Sequence, residues 1–122
     1  MKKEESLFVN RLKSIGFAFN GALHLLKTEK SIQLQVIIGI VMTFLGFYFE
    51  LTKTEWIIQC LTIGVIIGIE GVNTAIEEMA DFIHPEKHAK IGLIKDMSAG
   101  AVFLFAIIAI IIGIMIYFPK IF

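Results

Sequence analysis

The sequence has few of the features that usually assign a small protein to a class. Its one cysteine, Cys60, lies in an apolar run and has no partner for a disulfide within the chain. Eleven basic residues balance eleven acidic ones, so the chain lacks the positive excess with which proteins neutralise nucleic-acid phosphates. The first residues are polar and carry no apolar stretch with a cleavage site, so we expect no signal peptide. These absences exclude a disulfide within the chain and argue against nucleic-acid binding.

What the chain has in excess is apolar sequence. Of its 122 residues, 57% are hydrophobic and the mean hydropathy is +0.81, which is more apolar side chain than a soluble domain of this size could bury. Long apolar runs cover residues 32–50, 56–80 and 97–118. A helix needs about 20 residues to cross a hydrocarbon core of about 30 Å, so each run predicts one transmembrane helix. We therefore predict an all-α membrane protein in which residues 1–122 form a single domain.

Residues 7–27, ahead of the first span, predict an amphipathic helix. Its apolar positions recur at helical spacing and share one face, whereas its polar positions lie opposite. The segment is too polar to cross the membrane, so we expect it to lie at the membrane surface with its apolar face in the lipid. A helix that packs only on protein is the alternative. The apolar face comprises Phe8, Leu12, Ile15, Phe19, Ala22, Leu23 and Leu26.

The basic residues predict how the spans are oriented. Six of them precede the first span and three lie between the second and third spans, whereas Lys53 and Lys120 are the only ones in the other loop and in the tail. Because loops rich in lysine and arginine stay on the cytoplasmic side, we expect the N-terminus and the 81–96 segment in the cytoplasm.

The second span contains polar residues that a lipid-facing helix would not tolerate. Ionisable groups are costly in hydrocarbon and persist there mainly where they pair, bind ions or take part in chemistry. Two roles are plausible for its carboxylates, a proton acceptor near lipid and an oxygen ligand for a hard cation. A buried polar cluster that only holds helices together is the alternative. Four side chains lie within about 80° of one another on one helix face: Glu70, Asn73, Glu77 and Asp81.

Other candidate residues are weaker when each is considered alone. Lys95 and Asp96 at the start of the third span suit a phosphate and a metal, but a lysine there is commonly an interfacial anchor. Glu29 lies among lysines, where an acid is usually a solvated end charge. His84 and His88 lack the further ligands of a zinc site. The chain also lacks the phosphate-binding loop of P-loop proteins and the protein-kinase motifs.

The polar motifs nevertheless resemble those of a known family. Glu-Gly-Val-Asn-Thr-Ala-Ile-Glu at 70–77, Asp81, and Lys-Asp-x-x-Ala-Gly-Ala-Val from residue 95 are similar to the signature of the small prokaryotic diacylglycerol kinases and undecaprenol kinases. The resemblance covers nearly the whole chain. It implies a homotrimeric bundle of three-span subunits, each with an N-terminal surface helix, in the bacterial plasma membrane. It also implies transfer of the γ-phosphoryl group of MgATP to the hydroxyl of a membrane lipid.

The resemblance also implies roles for individual residues. Glu70 would be the general base, Asn73 would orient the reacting groups, and Glu29 and Glu77 would hold Mg²⁺. Sites in this family are shared between neighbouring subunits. The lipid would contact Glu70, Ala99 and Trp56, and the nucleotide would contact Asn10, Phe17, Glu29, Glu77, Glu86, Lys87, His88, Lys95 and Asp96.

One position departs from the family pattern. Family members often carry a basic residue that contacts the nucleotide where this chain has Asn10. Arg11 is adjacent, but a shift of one residue turns a side chain about 100° around a helix. Either Arg11 replaces that contact or the contact is missing.

Three hypotheses from different classes remain open at this point. The first is a lipid kinase, the second is a small proton or ion transporter subunit, and the third is a structural or regulatory bundle. A proton relay requires neither Glu29 nor the pair Lys95 and Asp96 at the cytoplasmic rim, which favours the kinase. The acceptor is either diacylglycerol or undecaprenol, and Thr28-Glu29-Lys30 together with the His-Pro-x-x-His segment leans slightly toward undecaprenol.

Overall fold

The computed structural model describes residues 6–122, and these form four α-helices with no strand among them. The helices are α1 (Leu7–Thr28), α2 (Lys30–Tyr48), α3 (Lys53–Ile83) and α4 (Ala89–Ile121). Three of them, α2, α3 and α4, are long and apolar enough to cross a membrane. The prediction of an all-α protein with three spans is therefore confirmed.

The last two helices are longer than the apolar runs from which they were predicted. Helix α3 continues past residue 80 to Ile83, and α4 begins at Ala89 rather than at residue 97. Most of the 81–96 segment is thus helical, and residues 84–88 form the connection. Apolar length measures the part of a helix that crosses lipid, whereas the helix itself continues through polar residues as long as nothing interrupts its backbone.

A single residue separates α1 from α2. Glu29 has an extended backbone, with φ −101° and ψ 112°, and turns the chain between the two helices. From α2, the Gln33 amide Nε2 donates to two carbonyl oxygens in the last turn of α1, that of Leu26 at 3.0 Å and that of Lys27 at 3.3 Å. These bonds satisfy carbonyls that a helix end leaves free, and they fix the corner at which Glu29 lies.

The turn between α2 and α3 is a Schellman motif built without glycine. Leu51 N donates to the Gly46 carbonyl at 3.1 Å and Glu50 N donates to the Phe47 carbonyl at 3.3 Å. Glu50 adopts φ 54°, the left-handed conformation that favours glycine. Thr52 and Glu55 then start α3 with a reciprocal capping box. We call this region, together with the carboxyl end of α4, the turn end of the bundle.

Polar side chains join all three spans near the turn end. The buried Gln59 of α3 donates from Nε2 to the Met42 carbonyl of α2 at 2.9 Å. The buried Tyr117 of α4 donates its hydroxyl to Gln59 Oε1 at 2.5 Å and also lies 3.3 Å from the Met42 carbonyl. An ion pair between Lys120 Nζ and Glu55, at 3.0 Å, adds a second link between α4 and α3. Each polar group of Gln59 is thereby satisfied away from water.

Two glycines of α2 let it approach α3 closely. A Cβ at Gly46 would lie 2.6 Å from Trp56 Cη2, and a Cβ at Gly39 would lie 3.0 Å from Ile63 Cγ2. The spacing of four small residues of α3, Gly64, Gly68, Gly71 and Ala75, predicts a second face for close packing. Of these three glycines, only Gly71 meets a neighbour, the Leu25 side chain of α1, in the described part of the chain. Whether a glycine faces a neighbouring helix depends on how its own helix is rotated about its axis. The spacing of residues in the sequence does not determine that rotation.

The contrast between two glycines yields a test of this packing. Gly46→Ala should lower the free energy of unfolding by about 1–3 kcal/mol, because the Trp56 ring must shift to admit the methyl group. Gly113→Ala is the matched control, since a Cβ there meets nothing within 4 Å. It should raise stability by up to about 1 kcal/mol through helix propensity. Thermal unfolding midpoints in detergent would check both, and equal effects would contradict the close approach.

Candidate active site

The acidic face predicted from the sequence lies on one unbroken helix. Helix α3 runs through all four polar positions without interruption. Three of them are half-buried, and Asp81, near the end of the helix, is exposed. A hydrogen bond of 3.2 Å from Asn73 Nδ2 to Glu77 Oε1 joins two members one turn apart. We call Glu70, Asn73, Glu77 and Asp81 the acidic face.

One polar atom on this face has no partner. Asn73 Oδ1 is buried and accepts no hydrogen bond from the described residues. A buried acceptor left without a donor costs about 1–3 kcal/mol, and native proteins retain few of them. Because Asn73 Nδ2 is bonded to Glu77, the oxygen is the polar atom of this amide that has no partner within the described residues.

Lys95 brings α4 to the acidic face. Its Nζ donates to Asp81 Oδ1 at 2.8 Å, and it also lies within electrostatic reach of Glu77. The two paired side chains are 37% and 57% exposed, so water screens the pair and it contributes little to stability. The pair orients Lys95 more than it stabilises the fold. The carboxylate that pairs with Lys95 is thus Asp81 of α3 and not Asp96, its neighbour in sequence.

Glu29 reaches the same end of the bundle from the other side. It is half-buried at the corner between α1 and α2. One turn earlier in α1, the Leu25 side chain packs 3.1 Å from the position that a Cβ on Gly71 would occupy, next to Glu70 in α3. The absence of a side chain at Gly71 thus lets the end of α1 approach the acidic face. We call this region, with Glu29, the acidic face and Lys95, the acid end.

The loop beyond the acidic face is organised by its own histidines. His84 Nδ1 lies 2.8 Å from the Glu86 carbonyl, and the rings of His84 and His88 meet edge to face at 5.0 Å between centroids. His88 Nδ1 accepts from Lys90 N at 3.1 Å and caps α4. Exposed Glu86, Lys87 and His88 therefore stand at the mouth of the acid end. Asp96 and Ala99 lie exposed on the first turns of α4.

Three predicted site residues are not brought to the acid end within one chain. Trp56 packs against Gly46 at the turn end, about 21 Å along α3 from Glu70 at 1.5 Å per residue. Phe17, 74% exposed, lies about 18 Å along α1 from Glu29 on the same measure. Asn10 lies about 28 Å from Glu29 along that helix. A site that uses all of these residues needs more than one chain.

Sequence reasoning also missed a residue at the site. Thr74 is buried beside the acidic face, and its hydroxyl donates to the Glu70 carbonyl at 3.1 Å. Such a bond back to the preceding turn satisfies a hydroxyl inside an apolar environment. The one feature of the sequence that could have identified Thr74 is its position within the acidic motif at 70–77.

The fold and the acid end together define an integral membrane protein with a carboxylate-rich site at one end of its spans. A family model described as prokaryotic diacylglycerol kinase matches residues 16–117. The chain belongs to this family, and it is accordingly a membrane lipid kinase. The transporter hypothesis is not favoured by this result.

Individual relatives agree with the family assignment. The undecaprenol kinase of Bacillus subtilis (strain 168) is 38% identical over 108 residues, which are 88% of each chain. The diacylglycerol kinase of Haemophilus influenzae is 25% identical over 108 residues, 88% of this chain and 92% of that protein. The diacylglycerol kinase of Synechocystis sp. is 27% identical over 112 residues, 91% of this chain and 64% of that protein.

Proposed function

We propose that this protein transfers the γ-phosphoryl group of MgATP to the hydroxyl of undecaprenol, in preference to diacylglycerol. The acid end supports this proposal, because Glu70 and Glu77 lie on one face of α3 and Lys95 of α4 reaches the same face at Asp81. Sequence identity supports undecaprenol as the acceptor, because the undecaprenol kinase relative is 38% identical to this chain, whereas the two diacylglycerol kinases are 25% and 27% identical.

Glu70 is the group that activates the acceptor. Its carboxylate takes the proton of the lipid hydroxyl as the oxygen forms a bond to the γ-phosphorus, and the bond from that phosphorus to the β–γ bridging oxygen breaks, leaving ADP. A positioned base of this kind contributes roughly 10²–10⁴-fold to the rate. Glu70 is half-buried in a membrane-spanning helix, where a lipid hydroxyl can reach it.

The oxygen atoms of the acid end fit a magnesium ion that arrives with the nucleotide. Within residues 6–122, no three histidine, cysteine or acidic side chains converge as a complete metal site. Mg²⁺ commonly takes only one or two carboxylates and completes its shell with phosphate oxygens and water. Glu77 and Glu29 would supply those carboxylates, and Asn73 Oδ1 is an unpartnered oxygen beside Glu77. When bound, the ion would neutralise charge on the β- and γ-phosphates.

Cationic and loop residues complete the nucleotide site. Lys95 would hold phosphate oxygens, with Asp81 fixing its ammonium group. Asp96 and the exposed residues Glu86, Lys87 and His88 would contact the rest of the nucleotide at the mouth of the acid end.

We further propose that the active unit is a homotrimer. Phe17 and Asn10, far along α1 from the acid end of their own chain, would then contribute to a neighbour's nucleotide site, with Arg11 supplying the positive charge absent at Asn10. Trp56 would contact lipid at the turn end. The distribution of basic residues supports a cytoplasmic acid end, where ATP is available.

A direct assay tests the reaction. Purified protein in mixed micelles, given labelled ATP, Mg²⁺ and either undecaprenol or diacylglycerol, should yield labelled lipid phosphate with a higher kcat/KM for undecaprenol. Equal or higher efficiency with diacylglycerol would overturn the acceptor assignment. A correctly folded protein that binds ATP and labels neither lipid would overturn the proposed reaction.

The role of Glu70 predicts a separation of turnover from binding. Glu70→Gln should lower kcat roughly 10²–10⁴-fold, because the amide cannot take the hydroxyl proton. Its affinity for MgATP, measured by calorimetry, should stay within a few-fold of wild type. Glu78→Gln is the matched control, since Glu78 is an exposed acid of the same helix outside the acidic face. Loss of MgATP binding in Glu70→Gln would identify Glu70 as a metal ligand instead.

The role of Glu77 predicts the opposite pattern. Glu77→Gln removes a charged oxygen ligand, so the Mg²⁺ concentration for half-maximal activity should rise roughly 10-fold or more, in the range seen when metal-site groups are altered. Activity should partly recover at high Mg²⁺. Glu78→Gln again serves as the control and should leave the Mg²⁺ dependence unchanged. An unaltered Mg²⁺ dependence in Glu77→Gln would remove Glu77 from the metal site.

A further inference from the structure

The break between α1 and α2 lies in a stretch that contains no helix-breaking residue. Residues 24–34 include neither proline nor glycine. Leucine, lysine and glutamate, which make up much of this stretch, are good helix formers. Local propensity therefore favours one uninterrupted helix through Glu29. The structure instead gives Glu29 an extended backbone and starts a new helix at Lys30, so other interactions must stabilise the corner.

The Gln33 side chain supplies two hydrogen bonds in place of those that the break removes. In an uninterrupted helix, the carbonyls of Leu26 and Lys27 would accept from backbone N–H groups four residues later. Those donors belong to Lys30 and Ser31, the first residues of α2. At the corner both carbonyls instead accept from Gln33 Nε2, at 3.0 and 3.3 Å. One amide thus replaces two backbone donors and favours the corner over a continuous helix.

These bonds also join a weakly packed helix to an anchored one. Helix α1 has no buried residue, although its Leu25 side chain reaches the surface of α3 at Gly71. The first turn of α2 is held in the bundle by Ile32, whose side chain is only 1% exposed. Gln33 is the next residue in sequence. Its bonds therefore fix the end of α1 to a turn that cannot move easily.

The Glu29 carboxylate takes no part in stabilising the corner. Glu29 is the N-cap residue of α2, a position that favours serine, threonine, aspartate and asparagine because their side chains bond the first N–H groups of the helix. Glu29 makes no such side-chain bond. A residue that departs from a local preference is expected where function rather than folding selects it. Gln33 therefore stabilises the turn, and the carboxylate is left for another role.

We propose that Gln33 is a positioning residue for Glu29. Its amide keeps the helix interrupted at residue 29 and so holds the Glu29 carboxylate at the acid end. The inference rests on the proposed function, in which Glu29 is a ligand of the Mg²⁺ that arrives with the nucleotide. Gln33 acts through the backbone of the corner and needs no contact with the metal or the nucleotide. Without its amide, α1 would continue α2 as one helix and Glu29 would leave its place.

Gln33→Met tests this role, because methionine has a similar length but no N–H group. The loss of two neutral hydrogen bonds shifts the balance between the corner and a continuous helix roughly 10-fold or more. Apparent affinity falls with the fraction of molecules that keep the corner. The affinity for a non-hydrolysable ATP analogue with Mg²⁺, measured by calorimetry without lipid, should therefore fall roughly 3–10-fold.

Amide hydrogen exchange reports the corner independently of nucleotide. The Ser31 N–H is one of the groups that the start of a helix leaves without a backbone acceptor. In a continuous helix it would bond to the Lys27 carbonyl. Exchange at Ser31 should therefore be slower in Gln33→Met than in wild type.

Thr28→Val is the matched control. The Thr28 hydroxyl donates to the His24 carbonyl at 2.7 Å, so this bond lies in the same last turn of α1 but does not cross the corner. Its removal should leave both the exchange of Ser31 and the affinity for the analogue at their wild-type values.

A backbone constraint should restore what Gln33→Met loses. Lys30 is the first residue of α2, where proline is favoured. Proline also biases the residue before it toward the extended conformation that Glu29 adopts. The double variant Gln33→Met with Lys30→Pro should bind the analogue within about two-fold of Lys30→Pro alone. A residue that contacted the nucleotide directly would not be rescued in this way.

Three results would overturn the proposal. The first is wild-type exchange at Ser31 in Gln33→Met, and the second is a loss of affinity that Lys30→Pro does not rescue. The third is a lower thermal unfolding midpoint with unchanged affinity, which would give Gln33 a role in stability alone. Glu29→Gln separates these from a failure of the proposed function. Wild-type Mg²⁺ dependence of binding in that variant would remove Glu29 from the metal site, while exchange at Ser31 would still decide whether Gln33 holds the corner.

Discussion

The structure depends on one constraint, that polar groups within apolar helices must find partners because hydrocarbon provides none. Helix α3 meets this constraint in two ways. Near the turn end, the Gln59 amide is fully bonded to α2 and α4, and these bonds hold the three spans together. At the other end, Asn73 Oδ1 is left without a partner beside two acids. The first arrangement stabilises the bundle, and the second leaves a polar atom without a partner within the described residues.

This division places the rigid part of the bundle and the proposed active site at opposite ends of one helix. The turn end combines a capped turn, a glycine packed against Trp56 and buried side-chain bonds. The acid end is joined by an exposed ion pair between α3 and α4 and by an α1 helix that has no buried residue. Few buried contacts mean a low free energy of local opening. The proposed active site, which must admit both a nucleotide and a lipid, would benefit from that freedom, while the turn end keeps the helices in register.

Much of this architecture could be predicted from the sequence, because apolar length and helical periodicity are local properties. Three spans and one face bearing Glu70, Asn73 and Glu77 follow from them directly. Pairings between helices do not, since they depend on how each helix is rotated about its axis. For that reason Lys95 pairs with Asp81 rather than with Asp96, and Gly46 rather than Gly64 meets a neighbouring helix. The contacts proposed between Asn10 and a neighbouring subunit are beyond the reach of a single subunit's geometry.

The single-residue corner at Glu29 has a consequence for how the chain can vary in length. An insertion or deletion there would lengthen or shorten the extended corner by about 3.5 Å of chain and so displace the end of α1 relative to α2. The Gln33 bonds to α1 would be lost at the same time, because they span a fixed number of residues. Length changes should therefore be tolerated at the amino end of α1 or in the 84–88 connection, whereas the corner admits none. The length of this junction therefore fixes the position of α1 relative to the three spans.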